Sequence, residues 1–232
     1  MEIIILAGGL GTRLRSIIND VPKPMAPIHT FPFLHYVIKS TVVYKPTKII
    51  LCVGYKKEVI QEYFKNNYLG IPIEYSIEEE LLGTGGAIKT AVEKIQDNTF
   101  LVLNGDSFFD CNLSNFFDFH KNKKAKVSIA GKEMEHFDRY GTLTIDHKKC
   151  ITNFIEKKYT EKGIINSGIY FIDKQYYLSN TPEGKFSLEE QFFQKYVVEN
   201  NFYAYDIDKQ DFFIDIGIPE DYDKAKAYFI VF

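Results

Sequence analysis

The chain opens on four consecutive aliphatic residues, Ile3-Ile4-Ile5-Leu6, followed at once by Ala7-Gly8-Gly9-Leu10-Gly11-Thr12-Arg13-Leu14-Arg15. An apolar run without polar alternation reads as a strand buried on both faces, which belongs in a parallel sheet covered by helices. The glycines strip side chains from the exit of that strand, so several backbone N–H groups can converge on an anion. Thr12 adds a hydroxyl, and Arg13 adds a guanidinium whose fork suits phosphate oxygens. Further on, Lys23 is fixed within Pro22-Lys23-Pro24-Met25, where the prolines restrict their neighbours. Together these features predict a polyphosphate cradle at the carboxyl end of the first strand. Two familiar glycine-rich loops do not fit. No Gly-Lys-Ser/Thr follows for a Walker loop, and a dinucleotide fingerprint begun at Gly9 meets Leu14 where its third glycine belongs.

Strand and helix patterns then alternate. Residues 49–53, 71–75 and 100–103 read as further strands. Phe33, Leu34, Val37, Ile38, Thr41 and Val42 recur at helical spacing, as do Val59, Ile60, Tyr63 and Phe64. Another helix is expected from about Thr84, and Leu113, Phe116, Phe117 and His120 share one helical face. This alternation predicts an α/β fold with a mixed, mainly parallel central sheet. Beyond it, residues 127–130, 142–145, 151–155 and 164–172 are strand-like with fewer helices between, which suggests an antiparallel extension. Ser187-Leu188-Glu189-Glu190 reads as a capping box opening a helix through Val198. Pro219 suits the first turn of a final helix that turns Tyr222, Ala225 and Phe229 inward.

A chain of 232 residues can bury the core of one large domain, expected to span 1–232. With 28 Lys+Arg against 31 Asp+Glu, it lacks the basic excess of a nucleic-acid binder. No run reaches the ~18 apolar residues of a membrane span, and the first strand is too short for a secretory signal. Cys52, Cys111 and Cys150 are widely spaced and read as reduced thiols of a cytoplasmic protein, with no zinc-type Cys/His cluster. The five histidines share no ligand spacing and no Gly-x-Ser-x-Gly occurs, so no covalent catalyst is expected.

Asn104-Gly105-Asp106 directly follows the fourth strand. Ligands of open α/β sheets gather at strand carboxyl ends, which suits Asp106 to a cation, with an Asx turn as the plainer alternative. Asp215 lies in Phe212-Phe213-Ile214-Asp215-Ile216-Gly217, and an acid among such neighbours is costly unless paired or metal-bound. Glu78-Glu79-Glu80 precedes Leu81-Leu82-Gly83-Thr84-Gly85-Gly86-Ala87, and at least one of these glutamates is expected to be merely solvated.

Leu6-Ala7-Gly8-Gly9-Leu10-Gly11-Thr12-Arg13-Leu14 with Pro22-Lys23-Pro24-Met25 resembles the signature of the sugar-phosphate nucleotidyltransferases. The resemblance implies a single Rossmann-like domain, with nucleotide bound by about 1–110 and sugar phosphate by about 111–232. It implies nucleotidyl transfer catalysed by Arg13 and Lys23, with Mg²⁺ held by Asp106 and Asp215. The nucleotide would meet Leu6, Ala7, Gly8, Gly9, Gly11, Thr12, Arg13, Gly83, Thr84, Gly105 and Asp106. Bare backbone at Gly83-Thr84-Gly85-Gly86 would let a flat base approach, and Glu80 would accept from guanine N1–H and N2–H₂. Tyr140, Gly141, Glu156, Lys157, Asn166 and Gly168 match motifs that line the sugar 1-phosphate pocket. Three departures touch these motifs: Phe213 stands where relatives carry Trp, Ile218 where they carry Thr, and Lys158 where they carry Pro.

Over nearly the full length the chain is most similar to the D-glycero-α-D-manno-heptose 1-phosphate guanylyltransferase branch, implying GTP and that sugar phosphate as partners and a role in surface polysaccharide. Mannose-1-phosphate guanylyltransferase, glucose-1-phosphate thymidylyl- or uridylyltransferase, and a catalytically silent sensor remain alternatives. No further C-terminal domain is expected, and a homodimer is compatible with a chain of this kind.

Overall fold

The computed structural model describes all residues except 10, 12, 13, 15–17, 19, 207–210 and 232. In chain order the main elements begin with β1 (Glu2–Leu6), α1 (Phe33–Thr41), β2 (Lys48–Val53), α2 (Lys57–Phe64), β3 (Ile71–Ile77) and α3 (Gly83–Ala91). They continue with β4 (Thr99–Asn104), β5 (Ser107–Phe109), α4 (Leu113–Asn122), β6 (Val127–Phe137), β7 (Thr142–Ile145) and β8 (Ile151–Ile155). The last are β9 (Thr160–Asp173), α5 (Lys174–Asn180), β10 (Phe202–Asp206), β11 (Phe213–Asp215) and α6 (Pro219–Tyr228).

β1 is the centre of the sheet, pairing in parallel with β2 on one side and β4 on the other, while β3 continues in parallel beyond β2. Its isoleucines serve two cores. Ile3 and Ile5 point into one, with α1 and α2 residues such as Leu34 and Ile60, and Ile4 points into the other, with Ala87 and Ile88 of α3. β2 and β4 alternate in the same way: Leu51 and Leu101 join the first core, Cys52 and Val102 the second. An unbroken aliphatic run is what a strand needs when both faces are covered. All three cysteines are buried free thiols.

β9 runs antiparallel to β4 and to β6 and β7, and so joins the parallel core to the antiparallel extension. Its pairing with β6 breaks between Asn166 and Tyr170. Gly168 lies in this break at φ +83, and a Cβ there would meet Asn104 Nδ2 at 2.5 Å. Only glycine meets both demands. A separate small ribbon positions the acids. β5 and β11 pair antiparallel with Asp215 opposite Ser107, and Ile216 N donates to Asp106 O at 3.1 Å, so Asp215 is brought beside Asp106.

Three elements differ from the sequence expectation. β10 adds in parallel to β6, and α5 follows β9 directly, its N-cap formed by Asp173 accepting from Tyr176 N at 2.7 Å. The helix after Ser187 opens with a π turn, Glu189–Phe193. Ser187 Oγ accepts from Glu190 N at 3.2 Å, but its own N–H is satisfied by Gln191 Oε1 at 2.9 Å. The wider turn thus hands the reciprocal half of the capping box to the residue after Glu190. No helix among the described residues is long and apolar enough to cross a membrane.

The expected apolar face of α4 contains a titratable group. His120 is buried against Phe171 and its Nδ1 lies 2.9 Å from Ser128 Oγ. Burial, opposed by Asp173 and aided by Lys126, pushes its pKa down to about 4. The unfolded chain therefore takes up a proton first as pH falls, so stability is complete above about pH 6.5 and is lost from there toward pH 4. Urea unfolding at pH 7.5 and 5.5 should show a loss of roughly 1 kcal/mol attributable to this residue. A His120→Gln variant should lack that increment; equal losses in both proteins would show that His120 is not its source.

Candidate active site

The exit of β1 is built around close approaches. Ala7 N donates to Cys52 O at 2.9 Å, holding the turn onto β2. Gly11 adopts φ +57, and a Cβ there would lie 2.6 Å from Lys23 Cβ, so a side chain at this position would drive Lys23 away. Among the described residues other than its chain neighbours, none comes within 4 Å of where a Cβ on Gly9 would stand. Thr12 and Arg13 lie outside the described residues.

Lys23 begins a 3₁₀ turn, Lys23–Met25, with a proline inside its first turn. Its Nζ donates to Asp106 Oδ2 at 2.8 Å and to Asp215 Oδ1 at 2.9 Å, while the side chain is only 10 % exposed. One ammonium therefore bridges the two acids that the β5–β11 ribbon brings together. Burial and the neighbouring Asp106 charge push the Asp215 carboxyl above its ordinary range, opposed by Lys23 and Arg139. Burial alone would depress Lys23, but the two carboxylates outweigh it and raise its pKa. Among the described residues no group of three or more His, Cys, Asp or Glu side chains forms a metal cage. Two carboxylates with a cation already between them nevertheless fit Mg²⁺, which takes one or two protein carboxylates and completes its shell with water and phosphate.

These groups sit in the wall of a cavity of about 720 Å³. Of the residues expected to meet nucleotide, Leu6, Gly8, Gly9, Gly11, Gly83, Thr84 and Asp106 line it, with Lys23 and Asp215. Ala7 and Gly105 do not; Gly105 is folded beneath the floor, its N–H donating to Leu6 O at 2.9 Å. Glu80 is exposed and outside the wall, whereas Glu78 is in it. Glu78 N donates to Val53 O at 2.8 Å, carrying the ladder one step past β3. Its Oε2 accepts from Leu82 N at 3.1 Å, and its Oε1 would be 2.8 Å from a Cβ on Gly8. Burial raises the pKa of this carboxyl, with the Leu82 N–H opposing. The rule that ligands gather at strand ends would have favoured Glu78, the residue directly following β3, over Glu80.

The bare backbone at Gly83-Thr84-Gly85-Gly86, of which Gly83 and Thr84 line the cavity, also has a packing role. A Cβ on Gly83 would meet Phe186 O at 2.6 Å, one on Gly85 the Phe186 ring at 2.1 Å, and one on Gly86 Gly184 O at 2.4 Å. Gly85 N and Gly86 N both donate to Phe186 O. These glycines make a seat for the segment 184–188. Thr84 Oγ1 fastens it, accepting from Leu188 N at 2.9 Å and donating to Glu189 Oε2 at 2.8 Å.

The same wall contains Tyr140, Gly141, Glu156, Lys157 and Asn166, five of the residues that the resemblance assigns to the sugar phosphate. Gly168 does not line it; its missing Cβ makes room for Asn104 instead of a ligand. Glu156 Oε2 is buried without a hydrogen-bond partner, and Glu156 Oε1 is 3.8 Å from Lys157 Nζ. A buried polar atom that finds no partner among the described residues is unfavourable, and a donor from outside the chain would relieve it. Arg139, Lys185 and Glu189 also line the cavity and went unread in sequence. Arg139 precedes the Tyr140-Gly141 pair, and Lys185 follows a turn glycine, Gly184 at φ +79, but neither position carries a spacing rule that marks it.

Comparison with known proteins agrees with this geometry. The nucleotidyl transferase family model matches residues 2–230. The chain is 47 % identical over 222 residues to the D-glycero-α-D-manno-heptose 1-phosphate guanylyltransferase of Campylobacter jejuni, covering 96 % of this chain and 97 % of that protein. It is 45 % identical over 226 residues to the enzyme of the same name from Aneurinibacillus thermoaerophilus, covering 97 % of each. The crystal structure of HddC from Yersinia pseudotuberculosis superposes with a TM-score of 0.87 at 39 % identity, covering 98 % of this chain and 99 % of that one. The same protein complexed with GMP-PN superposes at 0.86. With a family model matched over residues 2–230 and a fold shared nearly end to end with these proteins, this chain is a member of the nucleotidyl transferase family.

Proposed function

We propose that this chain transfers GMP from GTP to a sugar 1-phosphate, D-glycero-α-D-manno-heptose 1-phosphate before all others, releasing pyrophosphate and giving a GDP-heptose for surface polysaccharide. The observation that carries the reading is that one cavity gathers Glu78, the Lys23 ammonium with Asp106 and Asp215, and Glu156 with Lys157 in its wall. Full-length similarity to two curated guanylyltransferases and to a structure holding a guanine nucleotide analogue supports the choice of base and sugar. The reaction belongs in the cytoplasm, where nucleotide triphosphates are made.

In this reading the backbone of Gly8, Gly9 and Gly11 meets the triphosphate, and Arg13 and Lys23 offset its charge. Glu78 accepts from guanine N1–H and N2–H₂, a donor pair that uracil and thymine lack. Glu156 accepts from a sugar hydroxyl, which gives its orphaned oxygen a partner. An anionic oxygen of the sugar phosphate forms the new bond to the α-phosphorus as the bond to the β-phosphate breaks, and pyrophosphate leaves with that electron pair. The attacking oxygen is already deprotonated, so the chain needs no general base; its work is alignment and charge compensation. Asp106 and Asp215 would hold Mg²⁺, which when bound supplies positive charge to the phosphate oxygens.

A pyrophosphate-release matrix of GTP, ATP, UTP and dTTP against heptose, mannose and glucose 1-phosphates, with Mg²⁺, should peak at GTP with the heptose. A peak at another base would remove the guanylyl assignment, and no release from any pair would remove the enzyme reading. Glu78→Gln should lower kcat/KM for GTP by about 10- to 100-fold, the scale of losing a charged hydrogen bond, and should narrow the preference over UTP. An unchanged preference would return base reading to other groups. Asp106→Asn should reduce turnover by roughly 10³-fold or more, while the thermal midpoint moves little because Lys23 keeps its bond to Asp215. Substantial residual turnover would take Asp106 out of the metal site.

A further inference from the structure

Arg139 belongs to none of the groups used above, yet it stands in the cavity wall beside Tyr140 and Gly141. Its two terminal nitrogens are unequally engaged. Nη2 donates to the Tyr140 hydroxyl at 3.0 Å and to Asp221 Oδ2. Nη1 is buried and has no acceptor among the described residues. Asp221 is itself buried near the start of α6, and its other oxygen accepts from Lys224 Nζ at 2.9 Å. The guanidinium is thus anchored on one side and unspent on the other. A buried cationic N–H without an acceptor is unfavourable, more so than a neutral one, and an anion remedies it best.

The charges around the cavity say which anion is short of partners. Five carboxylates line it: Glu78, Asp106, Glu156, Glu189 and Asp215. Among the described lining residues the cations are Lys23, Arg139, Lys157 and Lys185. Lys23 is held by two of the acids, and Lys157 is more than half exposed and faces Glu156. A phosphate monoester entering beside Asp215 and Glu156 meets repulsion unless a fixed cation on that wall offsets it. Arg139 is the fixed one, and its charge already acts on Asp215.

We infer that Arg139 contacts the phosphate of the acceptor sugar 1-phosphate, its free Nη1 taking a phosphate oxygen while Asp221 and Tyr140 hold the fork in place. The inference rests on the nucleotidyl-transfer reading above. It gives the wall that holds the sugar a phosphate-specific contact, independent of which sugar the ring pocket prefers. Arg139 would align the attacking oxygen and restrain the negative charge beside the acids.

The test compares Arg139→Lys and Arg139→Met with wild type in steady-state kinetics and calorimetry. Arg139→Met should raise KM for the sugar 1-phosphate by about 10- to 100-fold and leave KM for GTP within threefold; Arg139→Lys, which keeps charge but loses the fork, should fall between. Calorimetric affinity for the sugar 1-phosphate alone should weaken by the same factor. Asp221→Asn serves as the control for bracing, since it removes the ionic anchor and leaves the guanidinium. It should lower the thermal midpoint without a tenfold change in KM for the sugar phosphate. Parallel rises in both KM values, with Asp221→Asn matching Arg139→Met, would make Arg139 a brace only and overturn the inference. So would a KM for the sugar phosphate within threefold of wild type in both Arg139 variants. If wild type released no pyrophosphate from any pair, the functional reading would fall, and calorimetry with the sugar 1-phosphate would still decide whether Arg139 holds a phosphate.

Discussion

One ammonium between two carboxylates sets the terms for the rest of this molecule. Asp106 and Asp215 come from distant parts of the chain, and bringing them together costs Coulomb repulsion that rises as water is excluded. Lys23 offsets that cost by donating to both, and Asp215, the more enclosed acid, is still pushed upward in pKa. A buried charge group of this kind contributes little net stability; what it avoids is the several kcal/mol of an uncompensated charge. Its value is geometric. It fixes two oxygens at a spacing suited to a cation, on the floor of a cavity that has to admit a highly charged substrate.

The scaffold reaches this arrangement by separating rigidity from function. β1, β2 and β4 are buried on both faces, so their carboxyl ends are held by two cores at once. Cavity-lining groups sit just past strand ends of this sheet: the glycine loop after β1, Asp106 after β4 and, beyond the half-covered β3, Glu78. Asp215 cannot be reached by a parallel strand of the same sheet, and the three-residue ribbon of β5 and β11 supplies it instead. Such a short ribbon has little stability of its own. It is supported by the aromatic packing of Phe109 on Phe213 and of Phe108 on Phe229. These four phenylalanines thus have a local task beyond filling volume.

Much of this was legible because it rests on short-range rules. Aliphatic runs bounded by glycine marked the parallel strands, and an acid between apolar residues marked Asp215. What could not be read depends on partners far away in sequence. β10 is a strand because β6 offers it an edge, and nothing in Phe202–Asp206 states that. The choice between Glu78 and Glu80 turns on where β3 ends, since one more step along the ladder keeps Glu78 at the cavity and leaves Glu80 in solvent. Arg139 is recognisable only once Asp221 and the cavity wall are seen together. The π turn after Ser187 shifted the capping partner by a residue, a change that no i,i+3 motif can foresee.

The glycine run Gly83-Thr84-Gly85-Gly86 shows why the chain does not divide into two independent halves. Gly83, Gly85 and Gly86 are bare because residues 184–188 press against them, with Phe186 closer than any Cβ would permit. Thr84 then ties this contact to Glu189, which also accepts from Ser187 Oγ at 3.0 Å. Both Thr84 and Glu189 are in the wall of the same cavity. Residues from distant parts of the sequence are therefore held together in one wall by packing and by a hydroxyl–carboxylate hydrogen bond. A reaction that joins two substrates in line needs their reacting atoms held to within a fraction of an ångström, which two loosely hinged lobes would not do. The seat of glycines under Phe186 reduces that looseness, through the side chains they lack and through the two N–H groups that Gly85 and Gly86 donate to Phe186 O.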